Sequence, residues 1–258
     1  MGMDRREAEN AFLAYAAHYD AEDIRIRAKK DHTMRVAEYA GQIAGSVTDD
    51  PDRIDFAWFL GLLHDIGRFE QVRCYGTFYD SDSVDHAELG ADLLFREGLI
   101  DSFPCGGLFP GWQRIAEDAV RSHNKLKLPE EMNEVTRLFS EILRDADKTD
   151  IFRVIAEIPY EQRAGTSRGR LRGETAVSPA VMDCVHRHEC IPRPLIHTRL
   201  ESRISHCSLA FELVFAESRR ITLKQGYLKR LLEEGSEQEK YYLGIVKEEL
   251  ERAFHCEI

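Results

Sequence analysis

The stretch DPDRIDFAWFLGLLHDIG, residues 50–67, decides the fold. Asp50 followed by Pro51 is typical of a helix start, because aspartate can accept the free backbone N–H groups and proline fits the first helical position. The apolar run that follows predicts a helix. Gly67 is well placed to end that helix.

The adjacent residues His64 and Asp65 lie at the end of this apolar helix. Burying two ionisable groups without partners is costly, so a metal ion or a hydrogen-bond network is expected around them. Adjacent helical residues differ by about 100° in direction, so both reach one centre only near a helix end or by binding different metals. Gly67 supplies such an end.

Helical periodicity continues on both sides of this stretch. Valine, isoleucine and threonine do not alternate with polar residues over lengths that would indicate a sheet. We therefore predict an all-α fold, a helical bundle with additional C-terminal helices. The other predicted helices are 23–47, 86–98 with Gly98 as its stop, 112–123 and 131–158.

Two segments lack clear helical periodicity and are predicted to connect helices. EQRAGTSRGRLRGETA, residues 161–176, is rich in turn residues and predicts a surface loop. It divides a helical core, 1–160, from a loop plus C-terminal helices, 161–258, which we expect to pack on the core as one structural domain. Residues 68–85 carry four aromatic side chains among polar ones. They form either a functional loop or an ordinary aromatic-anchored surface loop.

Composition excludes several classes of protein. The chain of 258 residues is 43% hydrophobic and 31% charged, as in soluble globular proteins, and its net charge is −11. That charge disfavours nucleic acid as a partner. We expect no membrane partner, because no stretch approaches the ~18 uninterrupted apolar residues of a membrane helix. A charged N-terminus and six cysteines without CxxC spacing predict a cytoplasmic protein with reduced thiols.

Six residues are candidate metal ligands, each on a separate predicted helix or at its end apart from the adjacent pair. Imidazole and carboxylate suit Zn, Fe, Mn and similar divalent metals, and helical bundles build metal sites from inward-pointing side chains of several helices. A single histidine on a helix is more often a core or surface residue than a metal ligand. The prediction of a metal site therefore rests on the six candidates taken together. The candidates are His32, His64, Asp65, His86, His123 and Asp147.

Three basic residues near these candidates could hold a substrate phosphate. Arg68 follows the His–Asp pair by one helical turn, and Lys148 follows Asp147 directly. Arg68 would make bidentate contacts and Lys148 would act as a point charge. Arg35 is a third candidate, for which a surface ion pair is the favoured alternative. We predict Arg68 and Lys148, together with Asp65, as catalytic residues.

The order His32…His64–Asp65…Asp147 resembles the HD-domain superfamily of metal-dependent phosphohydrolases. The context matches in DHTMRVAEYA, LLHDIGRFE and RDADKTDIF, so that the resemblance covers roughly residues 20–155. His86 in DHAELGADLLF and His123 in AVRSHNK resemble the further histidines of the subgroup that holds two metals.

The resemblance implies a dinuclear site. His32, His64, Asp65 and Asp147 would bind one metal, and Asp65 would bridge to a second metal. His86 and His123 would complete the second site. A metal-bridging hydroxide would then attack a phosphomonoester or phosphodiester, expected to be a nucleotide or a small phosphorylated metabolite. The ligand set admits Fe, Mn, Zn, Ni or Co.

Other functions remain open at this point. The cyclic-dinucleotide phosphodiesterases of the superfamily carry a second histidine and a GYP signature, whereas Asn124-Lys125-Leu126 follows His123 here. Proteins that resemble myo-inositol oxygenase use the same six-ligand pattern for two irons and dioxygen. A metabolite-binding regulator with a structural HD core is a third alternative. In CVHRHEC, residues 184–190, a polar turn or helix end is favoured over a second metal site.

Overall fold

A computed structural model describes residues 2–104, 106, 108–158, 171 and 175–258. These residues form helices and turns without a strand, which confirms the all-α prediction. The α-helices are α1 (Arg5–Ala16), α2 (Ile24–Gly45), α3 (Pro51–Leu63), α4 (Ile66–Tyr75), α5 (His86–Ala91), α6 (Trp112–Ser122), α7 (Glu134–Glu157), α8 (Pro179–His186), α9 (Arg199–Ser208), α10 (Ala216–Gln225), α11 (Tyr227–Glu233) and α12 (Glu237–Phe254).

The described residues divide into two compact units. The first contains α1–α6 and α7 up to Asp150, and the second begins at Ile151 and contains α8–α12. The domain boundary at 160 and the packing of 161–258 on the core stay predictions. The predicted loop 161–176 lies almost wholly outside the described residues.

Helix α3 is the centre of the first unit. Asp50 accepts a hydrogen bond from the backbone N–H of Asp52 and Pro51 occupies the first turn, which confirms the predicted helix start. Every residue from Phe56 to Leu63 is buried. Gly61 faces α2, where a Cβ atom would lie 2.6 Å from Cα of Ala37. The missing side chain therefore lets the backbones of α2 and α3 touch.

The predicted end of this helix at Gly67 is wrong. α3 ends at Leu63, and Asp65 interrupts the helical path with φ −106° and ψ 17° before α4 begins. Gly67 lies in the first turn of α4, where a Cβ atom would lie 2.3 Å from the carbonyl oxygen of His86 and 2.6 Å from the backbone nitrogen of Gly90. Close packing of α5 on α4 is the reason for glycine here.

Two other segments differ from their predicted form. Residues 68–85 are not one long loop, because α4 continues to Tyr75 and ends at Gly76, whose φ is +65°. The non-helical connection is 76–85, which contains a 3₁₀ turn at Asp80–Asp82. The helix predicted over 86–98 consists of α5 followed by a π-helical turn, Asp92–Arg96.

The second unit has its own apolar core, to which α7 contributes Phe152 and α9 contributes Leu200 and Ile204. Its helices begin at defined capping residues. At the start of α9, Thr198 accepts from the backbone of Glu201, and Glu201 accepts in return from the backbone of Thr198. Among the described helices, none has the length and apolar character needed to cross a bilayer.

Candidate metal centre

The six predicted ligands all belong to the first unit. They lie within α2 (His32), after α3 (His64), before α4 (Asp65), at the start of α5 (His86), after α6 (His123) and within α7 (Asp147). The fold brings them together, although they span more than a hundred residues of sequence. Their ligand atoms form two groups of three, and within each group the atoms lie within 4.8 Å of one another.

The first group consists of His32, His64 and Asp147. Oδ1 of Asp147 lies 3.1 Å from Nε2 of His32 and 3.7 Å from Nε2 of His64. The two imidazole rings meet edge to face with their centroids 5.4 Å apart. This approach follows from the packing of α2 against α3, since His32 lies within α2 and His64 directly follows α3.

The second group consists of Asp65, His86 and His123, and Asp65 also faces the first group. Oδ2 of Asp65 lies 3.2 Å from Nε2 of His64 and 3.6 Å from Nε2 of His32. Oδ1 lies 3.6 Å from Nε2 of His86 and 3.8 Å from Nε2 of His123. The two oxygens of one carboxylate therefore face two different pairs of imidazole nitrogens, as a bridge between two cations requires.

Two of the histidines are oriented by the helices that precede them. Nδ1 of His64 lies 2.7 Å from the carbonyl oxygen of Gly61, and Nδ1 of His123 lies 2.7 Å from that of Val120. Both carbonyls belong to the last turn of a helix, where backbone acceptors lack intrahelical partners. A proton on Nδ1 that is donated to these carbonyls leaves the Nε2 lone pair directed at the centre.

The other two histidines are oriented by carboxylates that the sequence analysis missed. Nδ1 of His32 lies 2.7 Å from Oδ2 of Asp150, and Nδ1 of His86 lies 2.8 Å from Oδ2 of Asp80. Asp150 follows Asp147 by three residues on α7, a spacing that places both on one helix face and could have indicated it. Asp80 lies in the irregular segment 76–85, and no periodicity pointed to it.

Asp80 and His86 form a further group of possible ligands with Asp85. Oδ1 of Asp85 already accepts the backbone N–H groups of Ala87 and Glu88 at the start of α5. Its Oδ2 lies 2.7 Å from Nζ of Lys125. Asp85 therefore holds α5 and the segment after α6 in place, which positions the second group.

Burial and unpaired lone pairs favour a cation at the centre. His64 is fully buried, and His32 and Asp65 are 1% and 2% exposed. Nε2 of His32 and Nε2 of His64 make no hydrogen bond of acceptable geometry. Buried polar atoms without partners are costly, and imidazole with carboxylate is a suitable donor set for divalent transition metals. The residues present fit the implied metals.

The carboxylates of the centre attract positive charge. Burial opposes their ionisation, but Lys29 and His64 beside Asp65, and the imidazoles of His32 and His64 beside Asp147, outweigh burial and hold the pKa of both carboxyl groups well below the usual range. Burial also opposes a charged His64, yet attraction by Asp65 and Asp147 raises its pKa. Bound metal cations would likewise compensate the negative charges of these two carboxylates.

The second pair of histidines stays neutral. Burial, together with repulsion by His86 and His64, lowers the pKa of His123 to about 3. Burial, followed by repulsion from Arg68, lowers the pKa of His86. Neutral imidazole is the form that binds a metal, because the lone pair on Nε2 is then available.

Lys29 is a further residue of the centre that the sequence analysis did not identify. It precedes His32 by one turn of α2, and its ammonium group donates to Oδ2 of Asp65. Its Nζ also lies 5.8 Å from the centre of the Phe78 ring. A lysine at this spacing on a predicted helix carries no distinguishing signal by itself.

Arg68 adjoins the centre but is engaged by the segment that follows α4. Its Nη1 donates to Oε1 of Gln71, to the carbonyl oxygen of Phe78 and to Oδ1 of Asp80, at 2.6–2.9 Å. Its Nε lies 3.7 Å from Oδ1 of Asp65. Arg68 therefore ties segment 76–85 to the centre, and its contact with a substrate phosphate stays a prediction.

The other two predicted phosphate-binding residues lie on α2 and α7. Nε of Arg35 donates to Oδ1 of Asp150 at 2.8 Å, so that Arg35 supports the carboxylate behind His32. Lys148 is 7% exposed and adjoins Asp147. Contact of either residue with phosphate stays a prediction.

Residues 30–151 match the family model of the HD domain. The matched region contains the six predicted ligands and Asp150. Neither a curated protein nor a solved structure matches the chain. The match supports placing this region in the HD superfamily, whose members are generally metal-dependent hydrolases that bind divalent metals. The six-ligand subgroup and the number of metals stay predictions.

The segment 184–190, in the second unit, converges on one carboxylate. Nδ1 of His186 and Nε2 of His188 each lie 3.0 Å from a different oxygen of Glu249. The His188 ring also stacks on Phe211, with the centroids 5.0 Å apart. These contacts fasten the end of α8 to α12.

Proposed function

We propose that this protein is a phosphohydrolase that uses two divalent metals bridged by Asp65. The observation that carries the proposal is the position of the Asp65 carboxylate, whose two oxygens face two separate pairs of imidazole nitrogens. The HD-domain match over the same residues supports it. The proposed ligands are His32, His64, Asp65 and Asp147 for one metal, and Asp65, His86 and His123 for the other.

The metals would activate a water molecule and neutralise charge on the phosphoryl oxygens. The chain's own residues prepare the site for this chemistry. Asp150 and Asp80 fix the rings of His32 and His86 with Nε2 inward. Arg68 and Lys148 would add positive charge for the substrate phosphate. Arg35 is the weaker candidate for that role because it contacts Asp150, behind His32, whereas Nε of Arg68 lies 3.7 Å from Oδ1 of Asp65.

We propose a nucleotide or another small phosphorylated metabolite as the substrate, cleaved as a monoester or diester. A net charge of −11 disfavours a nucleic-acid duplex, whereas the basic side chains at the centre suit one small anion.

The test is turnover of a panel of phosphomonoesters, nucleotides and dinucleotides by protein reloaded with Mn²⁺, Fe²⁺, Zn²⁺, Ni²⁺ or Co²⁺. Metal content is measured in parallel, with two ions per chain expected. D65N should lose the bridging charge and the turnover. D49N, which removes an exposed carboxylate outside the site, should keep both.

Protein that holds two metals and cleaves no ester in the panel contradicts the proposal. Turnover that requires both iron and dioxygen would instead support the oxygenase alternative.

A further inference from the structure

Lys29 lies where a metal would compete with it. Its ammonium group donates to Oδ2 of Asp65, the same oxygen that faces His32 and His64. A cation held by these residues would use the lone pairs of Oδ2 and would repel the ammonium group. We therefore expect repulsion by the first metal to displace Lys29 from its present contact.

Among the described residues, Asp65 is the one with which Lys29 forms an ion pair. The neighbouring cations have other partners, since Arg68 binds Asp80 and Arg35 binds Asp150. Loading the first site would thus release the Lys29 ammonium beside the metal, while α2 still holds the residue at the centre.

The released side chain has access to a ligand. Lys29 is 20% exposed, in contrast to the almost fully buried Asp65, and its Nζ lies 5.8 Å from the centre of the Phe78 ring. A lysine ammonium is a compact charge with three donors, which suits a non-bridging phosphoryl oxygen. A phosphate bound at the metals would give Lys29 a negatively charged partner in place of the Asp65 carboxylate.

We propose that Lys29 changes partner when the protein is loaded: it neutralises Asp65 in the metal-free protein and binds the substrate phosphate in the metal-bound protein. This inference rests on the proposed hydrolytic function and adds a specific substrate-binding residue to it. It also makes Lys29 a competitor of the first metal.

The two roles predict opposite effects of one substitution. K29M removes the ammonium group and keeps a side chain of similar length. Metal-free K29M should bind Mn²⁺ about tenfold more tightly than the wild type, because the competitor for Oδ2 is gone. Mn²⁺-loaded K29M should bind inorganic phosphate about tenfold more weakly. Calorimetric titration measures both constants without turnover.

K30M is the matched control, since Lys30 is the next residue of α2 and forms no ion pair with a described carboxylate. It should leave both constants unchanged. Unchanged phosphate binding in K29M, or loss of affinity for Mn²⁺ as well as for phosphate, would overturn the role of Lys29.

Failure of the proposed function gives a different result. Wild-type protein that holds two Mn²⁺ ions yet binds no phosphate and cleaves no ester would overturn both proposals. If the wild type cleaves an ester and K29M cleaves it with the same turnover and the same KM, the inference on Lys29 alone would be overturned.

Discussion

Each histidine of the metal centre has an Nδ1 atom that is engaged away from the centre. His64 and His123 use carbonyl oxygens of their own helix, whereas His32 and His86 use the carboxylates of Asp150 and Asp80. Because the outer partner sets the tautomer and orientation of the ring, replacing that partner changes metal affinity without removing a ligand.

We expect D150N to weaken metal binding at the first group by about 10- to 100-fold, since Asn carries no charge to orient and polarise the His32 ring. D80N should have the same effect on the second group. Titration of chelator-treated protein with Mn²⁺ resolves the two binding steps. Each variant should alter one step and leave the other unchanged. Equal weakening of both steps in D150N would contradict the assignment of His32 to one metal.

At the scale of the helices, glycine decides how closely elements approach. Gly67 on α4 faces Gly90 on α5, and a Cβ atom on Gly67 would collide with the backbone of α5 rather than with a flexible side chain. α4 and α5 carry Asp65 and His86 at their starts. Their separation therefore sets the distance across the second group.

G67A should lower the free energy of unfolding by about 1–3 kcal/mol, because it overpacks a closed interface. It should also weaken the second metal-binding step. G244A is the control, since Gly244 lies within α12 and a Cβ atom there would meet nothing within 4 Å. Alanine at that position should stabilise by about 0.5–1 kcal/mol. Urea unfolding measures both changes. If G67A and G244A changed the free energy of unfolding in the same direction, this account of Gly67 would be contradicted.

The start of α9 gives the second unit a dependence on pH. Glu201 is 2% exposed and accepts from the backbone N–H groups of Ser178, His197 and Thr198. Burial opposes its ionisation, but the three donors outweigh burial and lower the pKa of Glu201. A lowered pKa in the folded state means stability that is present above the unfolded pKa, about 4.3, and is lost as the pH falls through the folded pKa.

E201Q should lower the free energy of unfolding at pH 7 by about 1–3 kcal/mol, because the Gln amide places a donor against a backbone donor. The difference from the wild type should shrink as the pH falls below about 4, where the carboxyl group of the wild type becomes protonated. Urea unfolding at a series of pH values measures it. A difference that stays constant down to pH 3 would show that the charge of Glu201 does not matter.

At the scale of the whole molecule, the metal centre joins distant parts of the chain. The ligands of the first unit come from α2 to α7, so that bound metals would link most of its helices. Ligands that bind only the folded state stabilise it in proportion to the logarithm of their concentration.

Metal loading should therefore raise the Tm, with a gain of about 2.7 kcal/mol in the free energy of unfolding for each occupied site at a free metal concentration 100 times the Kd of that site. A chelator should reverse the gain. D65N should show a much smaller shift, whereas D49N should respond like the wild type. Thermal denaturation followed by circular dichroism measures it, and an equal shift in D65N would argue against metal binding at this centre.

The sequence by itself determined those features that depend only on residues close together along the chain. The start of α3 at Asp50 and Pro51 follows from backbone capping, and the all-α class follows from periodicity, both local properties. The six candidate ligands could be selected because their residue types suit a metal and a resemblance gave their order. The break between α3 and α4 was misplaced, since Gly67 has the composition of a helix stop but serves interhelical packing.

Only the tertiary structure decided which side chains meet. Asp150 contacts His32 across 118 residues, and Lys29 contacts Asp65 across 36. Asp80 lies in a segment without periodicity, so that its contact with His86 depends on how α4 and α5 are packed. Local sequence patterns predict where helices begin and end. The residues that contact the metal ligands depend instead on how separate helices pack against one another.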